Sequence, residues 1–171
     1  MSVRHFANLL FAVFGLLLLC VVLAPLLAPS GTMTDLDGRV GTVDHEESWE
    51  VLDPFTGMVY RVGDYFCHQI SERSLTINDN QLPLCARDLG VLAGFVLGAF
   101  LFLIFPRTPP WWVIAALVAP IVLDGGLQAL SDYVSCNPMR LSTGLLGGAG
   151  AFLGMLRLMQ GWWDDLMQDE G

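Results

Sequence analysis

"FANLLFAVFGLLLLCVVLAPLLAP" (residues 6–29) decides the fold. The run carries no charged residue, and about 20 apolar residues at 1.5 Å rise suffice to cross a bilayer as helix. A cleaved signal has an apolar region of only about 7–15 residues. "LLAPSGT" (26–32) has the small residues of a cleavage site, but the length of the run reads as a first transmembrane helix, occupying residues 1–29 with its leading polar residues.

The rest of the 171-residue chain has the same character. It is 54% hydrophobic, with a mean hydropathy of +0.56, the composition of a polytopic membrane protein. Further spans run from about Leu84 to Phe105, Trp111 to Tyr133, and Met139 to Met159. "PRTPP" (106–110) and "SCNP" (135–138) are turns, and Pro120 marks a kink within the third span. Four spans put both termini on one side.

Residues 30–58 form an acidic loop with turn signals at Asp37–Gly38, Pro54 and Thr56–Gly57. "GRVGTV" and "SWEVL" within it have the length of a small hairpin's strands. Residues 59–83 follow as an interfacial helix and turn: Val59, Val62, Phe66 and Ile70 recur at helical spacing up to Leu75, and "TINDNQLP" breaks the pattern. A three-helix core (84–159) and an acidic tail (160–171) complete the chain. The expected fold is an all-α membrane protein with four transmembrane helices, one interfacial amphipathic helix and a small ordered acidic loop.

All eight basic residues are Arg, set against 17 Asp and Glu, for a net charge of −9. That balance argues against nucleic acid as a partner, because phosphate-backbone binding needs basic surface. Acidic, Lys-free loops fit a GC-rich genome and a high-salt habitat. Arg4, Arg107 and Arg157, with Trp111, Trp112, Trp162 and Trp163, flank the spans on the terminal face. This favours a multi-pass cell-membrane protein with both termini cytoplasmic and the acidic loop outside. Small residues four apart (Gly90, Gly94, Gly98; Gly144, Gly148; Gly150, Gly154) let helices approach closely, either within one chain or in a homo-oligomer or larger membrane complex.

The polar residues map to the face opposite the termini. Arg87 and Asp88 open the second span; Asp124 and Gln128 lie one turn apart in the third, continued by Ser131, Asp132 and Ser135; Asn137 and Arg140 open the fourth; and Cys67, His68, Glu72 and Arg73 precede the second. A carboxylate such as Asp124 inside a span costs about 2.5–3.5 kcal/mol unless paired, protonated or facing water. Arg87 or Arg140 is its natural partner, in a structural ion-pair network or in a ligand pocket.

Cys20 reads as a small apolar residue. Cys67 and Cys85 could form a disulfide. Cys67, His68, Cys85 and Cys136 could hold zinc or another thiophilic metal. Free thiols are the third reading. Asp64, His68 and Glu72 are spaced as one helical stripe, a solvated face or a proton relay. No HExxH helix, GxSxG elbow or CxxCH haem attachment is present.

"CHQISERS" (67–74), "PLCARDLG" (83–90), "DGGLQ" (124–128) and "NPMRLSTG" (137–144), in that order, resemble a family of small prokaryotic membrane proteins, domain of unknown function 2085, over about residues 60–155. The resemblance implies the fold and the site and brings no activity. Where the family pattern has a second cysteine this chain has Asp88, a residue that can still ligate zinc alongside Cys67, His68 and Cys85. Three functions fit. A binding protein would hold a metal, or hold a small anion with Glu72, Arg73, Arg87, Gln128, Asn137 and Arg140 around it. A membrane-embedded enzyme on a lipid or thiol substrate would use Asp124 or His68 as base. An accessory subunit of a larger complex would use the cluster structurally.

Overall fold

The computed structural model describes residues 3–169. Four helices are long and apolar enough to cross a membrane: α1 (Val3–Leu27), α4 (Ala86–Ile104), α5 (Trp111–Leu130) and α6 (Asn137–Asp169), the last of these through Trp162. Between α1 and α4 lie α2 (Glu46–Glu50), α3 (Pro54–Phe66), and a hairpin of β1 (Ser74–Ile77) and β2 (Asn80–Cys85). The acidic tail continues α6 as helix; residues 170 and 171 lie outside the described part, as do the side chains beyond Trp162, including Trp163. α5 runs unbroken through Pro120.

Glycine sets the closest approach in the bundle. A Cβ at Gly90 would sit 2.4 Å from Leu141 O, at Gly94 2.3 Å from Leu145 O, at Gly144 2.4 Å from Arg87 O, and at Gly148 2.3 Å from Val91 O. α4 and α6 therefore meet backbone to backbone, the geometry that small residues four apart allow. Gly150 of α6 instead receives Leu117 and Val118 of α5. The glycine faces are thus filled within the chain. Toward the terminal end, Ala7, Ala99, Phe102, Phe152, Leu153 and Leu156 form the core, with Phe14 and Phe95 rings 4.9 Å apart beside it. Arg157 lies over Trp111 and donates to Pro109 O at 2.9 Å. Leu9, Leu16, Leu19 and Leu27 of α1 are exposed, as lipid-facing residues are.

The segment between α1 and α4 differs from the sequence expectation. The interfacial helix begins at Pro54, five residues earlier than the apolar spacing implied, and ends at Phe66 rather than Leu75. Asp53 caps it, accepting from Phe55 N and Thr56 N at 3.1 Å, with Pro54 in the first turn, where its missing N–H costs nothing. Met58, Val62, Tyr65 and Phe66 leave an apolar face exposed. The helix stops because Cys67 is extended and Gln69 takes φ +45°. The hairpin lies at 74–85, not in residues 30–58; "SWEVL" instead contributes to α2, and "GRVGTV" is irregular. Asn78 and Asp79 both have positive φ, the two-residue turn matched to strand twist.

Buried Asn80 joins hairpin to bundle. Its Nδ2 donates to Pro25 O (2.9 Å), in the last turn of α1, and to Pro29 O (3.0 Å) just beyond the helix, and its Oδ1 accepts from Thr32 N and Met33 N at 3.0 Å. Ala24, Ala28, Met33, Leu36, Trp49 and Tyr60 form a second core beneath. Asp64, fully buried, accepts from Trp49 Nε1 (2.9 Å) and His45 N (3.0 Å). The stripe of Asp64, His68 and Glu72 is therefore not formed: Asp64 is committed to the loop, and the other two lie beyond the helix.

Candidate functional site

The α4–α6 seam places the site. Arg87 is in the first turn of α4 and Arg140 in the first turn of α6, and Gly144 packs directly on the Arg87 carbonyl. The hairpin delivers Cys85 to the start of α4. The extended segment after α3 brings Cys67 and His68 opposite. A cavity of about 260 Å³ results, lined by Cys67, His68, Arg73, Cys85, Arg87, Asp88, Gln128 and Arg140, together with apolar Val40 and Phe66.

Arg87 is held from behind. Its Nη2 donates to Asp124, at ion-pair contact, and to Gln128 Oε1 at 3.0 Å; Tyr133 Oη donates to the other Asp124 oxygen at 3.3 Å. Asp124 thus orients Arg87 and does not line the cavity. Arg140 is less completely partnered. It is 2% exposed, and its Nη2 has no hydrogen-bond partner. With the thiols protonated, three guanidiniums against the carboxylates of Asp88 and Asp124 leave the cavity a net +1.

Cys67 and Cys85 carry free thiols. With an Asp88 oxygen their sulfurs form a group within 4.8 Å of one another. Cys85 N donates to Cys67 Sγ (3.2 Å), and Cys85 Sγ donates to Asp88 Oδ2 (3.2 Å). The hydrogen bond between the thiols lowers the Cys85 pKa; the same bond and burial raise that of Cys67. The pair therefore gives up its first proton more easily than an isolated thiol does and its second less easily.

His68 is held below its ordinary pKa, first by burial and then by the Arg73 charge, so the ring is neutral at pH 7. Its Nδ1 accepts from Ile70 N at 3.2 Å, which leaves Nε2–H as the donor of the neutral ring. A ring fixed in that tautomer can donate to an anion; it is not set to accept a proton or to ligate through Nε2.

The other residues singled out from sequence lie around the cavity. Glu72 is exposed, outside the lining. Asn137 Nδ2 donates to Ser74 O (3.1 Å), tying α6 to the hairpin. Cys136 is exposed; among the described residues the grouped donors are Cys67, Cys85 and Asp88, without Cys136 or His68. Sequence reasoning missed Tyr133, Val40 and the role of Gln69. Gln69 is fully buried, donates to Pro83 O (2.8 Å) and accepts from Gln81 Nε2, locking the Cys67–His68 segment against β2. Its place in "CHQ" was the available signal. Nothing in the sequence pointed to Val40.

The sequence profile of the family described as "Predicted membrane protein (DUF2085)" matches residues 67–153, from Cys67 through the first half of α6. An uncharacterized protein of Methanocaldococcus jannaschii is 29% identical over 96 residues, covering 53% of this chain and 61% of that protein. An uncharacterized protein of Methanothermobacter thermautotrophicus is 35% identical over 89 residues, covering 50% of this chain and 80% of that one. This chain thus spans about three fifths of the first relative's length. No solved structure matches. The matched stretch holds every charged residue and both cysteines that line the cavity, and the chain belongs to the DUF2085 family of predicted membrane proteins.

Proposed function

We propose that this membrane protein binds a small anion in the Arg-lined cavity. The observation that carries the reading is Arg140: the residue is 2% exposed, and its Nη2 has no acceptor. A buried charged donor without an acceptor costs free energy, and an anion bound in the cavity offsets that cost. Arg73, Arg87 and the Nε2–H of His68 add donors around the same space. The cavity faces the extracytoplasmic side of the cell membrane, with both termini cytoplasmic; Arg4, Arg107 and Arg157 at the opposite end support that orientation.

The test is thermal unfolding of the purified protein in detergent at increasing inorganic phosphate or sulfate. The wild type gains stability as RT ln(1 + [L]/Kd), whereas Arg140→Gln responds only as it does to chloride at equal ionic strength. Equal responses of the two proteins would overturn the reading.

A second reading has its own observation. Cys67, Cys85 and Asp88 present three donors within 4.8 Å, a set that suits zinc with a fourth position open. The surrounding arginines oppose a cation, which is why this reading stands second. About one zinc per chain by elemental analysis, lost in Cys67→Ser, would establish it. A non-reducing mass two units low, with the deficit absent in both Cys67→Ser and Cys85→Ser, would instead establish a Cys67–Cys85 disulfide.

A further inference from the structure

A second cleft, of about 510 Å³, adjoins the cavity: Arg73 and Gln128 line both, and Gly125, Ala129, Tyr133 and Val134 line the cleft along and past the end of α5. Beyond the cleft, the outer side of α5 and the residues just after it are apolar and uncovered: Leu123, Leu127, Leu130 and Val134 are between 54% and 89% exposed. The cavity itself lies where α4 and α6 begin and α5 ends, at the depth of the headgroups if these helices span. At that depth guanidiniums meet lipid phosphates, to which they make charge-assisted hydrogen bonds.

We infer that the anion is the phosphodiester of a membrane lipid, with its phosphate on Arg73 and Arg140 and its acyl chains along the exposed side of α5. This rests on the anion reading and names its ligand class. A freely diffusing anion would use the cavity alone, whereas a tethered one needs a route from the guanidiniums to the bilayer, and the second cleft supplies it. Ser131 and Asp132 line that cleft and Asp88 the first; these groups accept hydrogen bonds from headgroup hydroxyls and disfavour a second phosphate. The sites that hold the lipid are thus one basic wall, one acidic rim and one apolar exit.

Native mass spectrometry of the full chain in detergent, with phosphatidylglycerol added, reads lipid retention directly. The wild type is expected to keep one lipid per chain. Arg73→Gln, and Arg140→Gln if it folds, should lower retention about tenfold, the loss of one charge-assisted contact. Val134→Asn, a neutral polar change at an exposed position, should lower it without changing the stabilisation by inorganic phosphate. Retention unchanged in Arg73→Gln and Val134→Asn would overturn the lipid assignment. Stabilisation by inorganic phosphate with no retained lipid would overturn it too and leave the anion reading standing. Neither phosphate stabilisation nor lipid retention would overturn both.

Discussion

Replacing Gly94 by Ala tests the seam that positions the site. The added Cβ would lie 2.3 Å from Leu145 O, 2.8 Å from Ala149 N and 2.9 Å from the Cα of Gly148. All three neighbours are backbone, so no side chain can rotate away, and α4 must move off α6. Overpacking of this kind costs about 3 kcal/mol at its rigid end. Alanine recovers about 1 kcal/mol through helix propensity, for a net loss of about 2 kcal/mol. Gly126→Ala is the matched control: it lies in α5 with nothing within 4 Å of the new methyl, so it keeps the propensity gain. The two identical chemical changes should therefore differ by about 3 kcal/mol. Reversible unfolding in mixed micelles, followed by tryptophan fluorescence, measures the difference. The same displacement would separate Arg87 from Arg140, so Gly94→Ala should also weaken stabilisation by phosphate. Stabilities within about 0.5 kcal/mol of each other would refute the packing argument.

Asp124→Asn should separate stability from binding: removing one partner of a buried pair costs about 3 kcal/mol, while the added positive charge tightens phosphate binding, both readable from melting curves across phosphate concentrations. Phenylarsine oxide, which bridges two thiols, should protect Cys67 and Cys85 together from maleimide, whereas exposed Cys136 still labels; Cys67→Ser should abolish the protection, as counted by mass. Asp37 accepts from Ser71 N (2.7 Å) and Ser71 Oγ (2.9 Å), and the Ser71 backbone bond leads in holding its pKa below the ordinary carboxylate value. Because the folded pKa is depressed, this clasp should persist above about pH 4 and be lost as pH falls through the folded value; hydrogen exchange of the Ser71 amide, corrected for its intrinsic rate, should show that loss, and Asp37→Asn should remove the pH dependence.

The transmembrane part was legible because its signals are local. Apolar length marked the four helices, and glycines four apart marked the α4–α6 contact that Gly90, Gly94, Gly144 and Gly148 make. The gathering of Arg87, Arg140, Cys67 and Cys85 at one end followed from counting spans. The segment between α1 and α4 was misread for a physical reason. Val62, Phe66 and Ile70 kept a helical period, but Gln69 is buried in a left-handed conformation that only its bonds to Pro83 and Gln81 explain, and such long-range bonds leave no periodic trace. "TINDNQLP" was read only as a break, yet it spans the hairpin; Pro83 is tolerated there because in a two-stranded sheet every strand is an edge. Asp53–Pro54 was read as a turn when it is a capped helix start. Asp124 was a candidate base by burial; its place behind Arg87 depends on Tyr133, nine residues on and outside the helix.

The central claim is that Arg140 is half of an ion pair whose other half is the ligand. Diffraction from crystals grown in selenate tests it most directly, because selenium scatters anomalously and selenate has the size and charge of sulfate. The account predicts one anomalous peak in the cavity, with a selenate oxygen about 3 Å from Arg140 Nη2. A cavity without a peak, in which Arg140 instead hydrogen-bonds the carboxylate of Asp88 or Asp124, would contradict it.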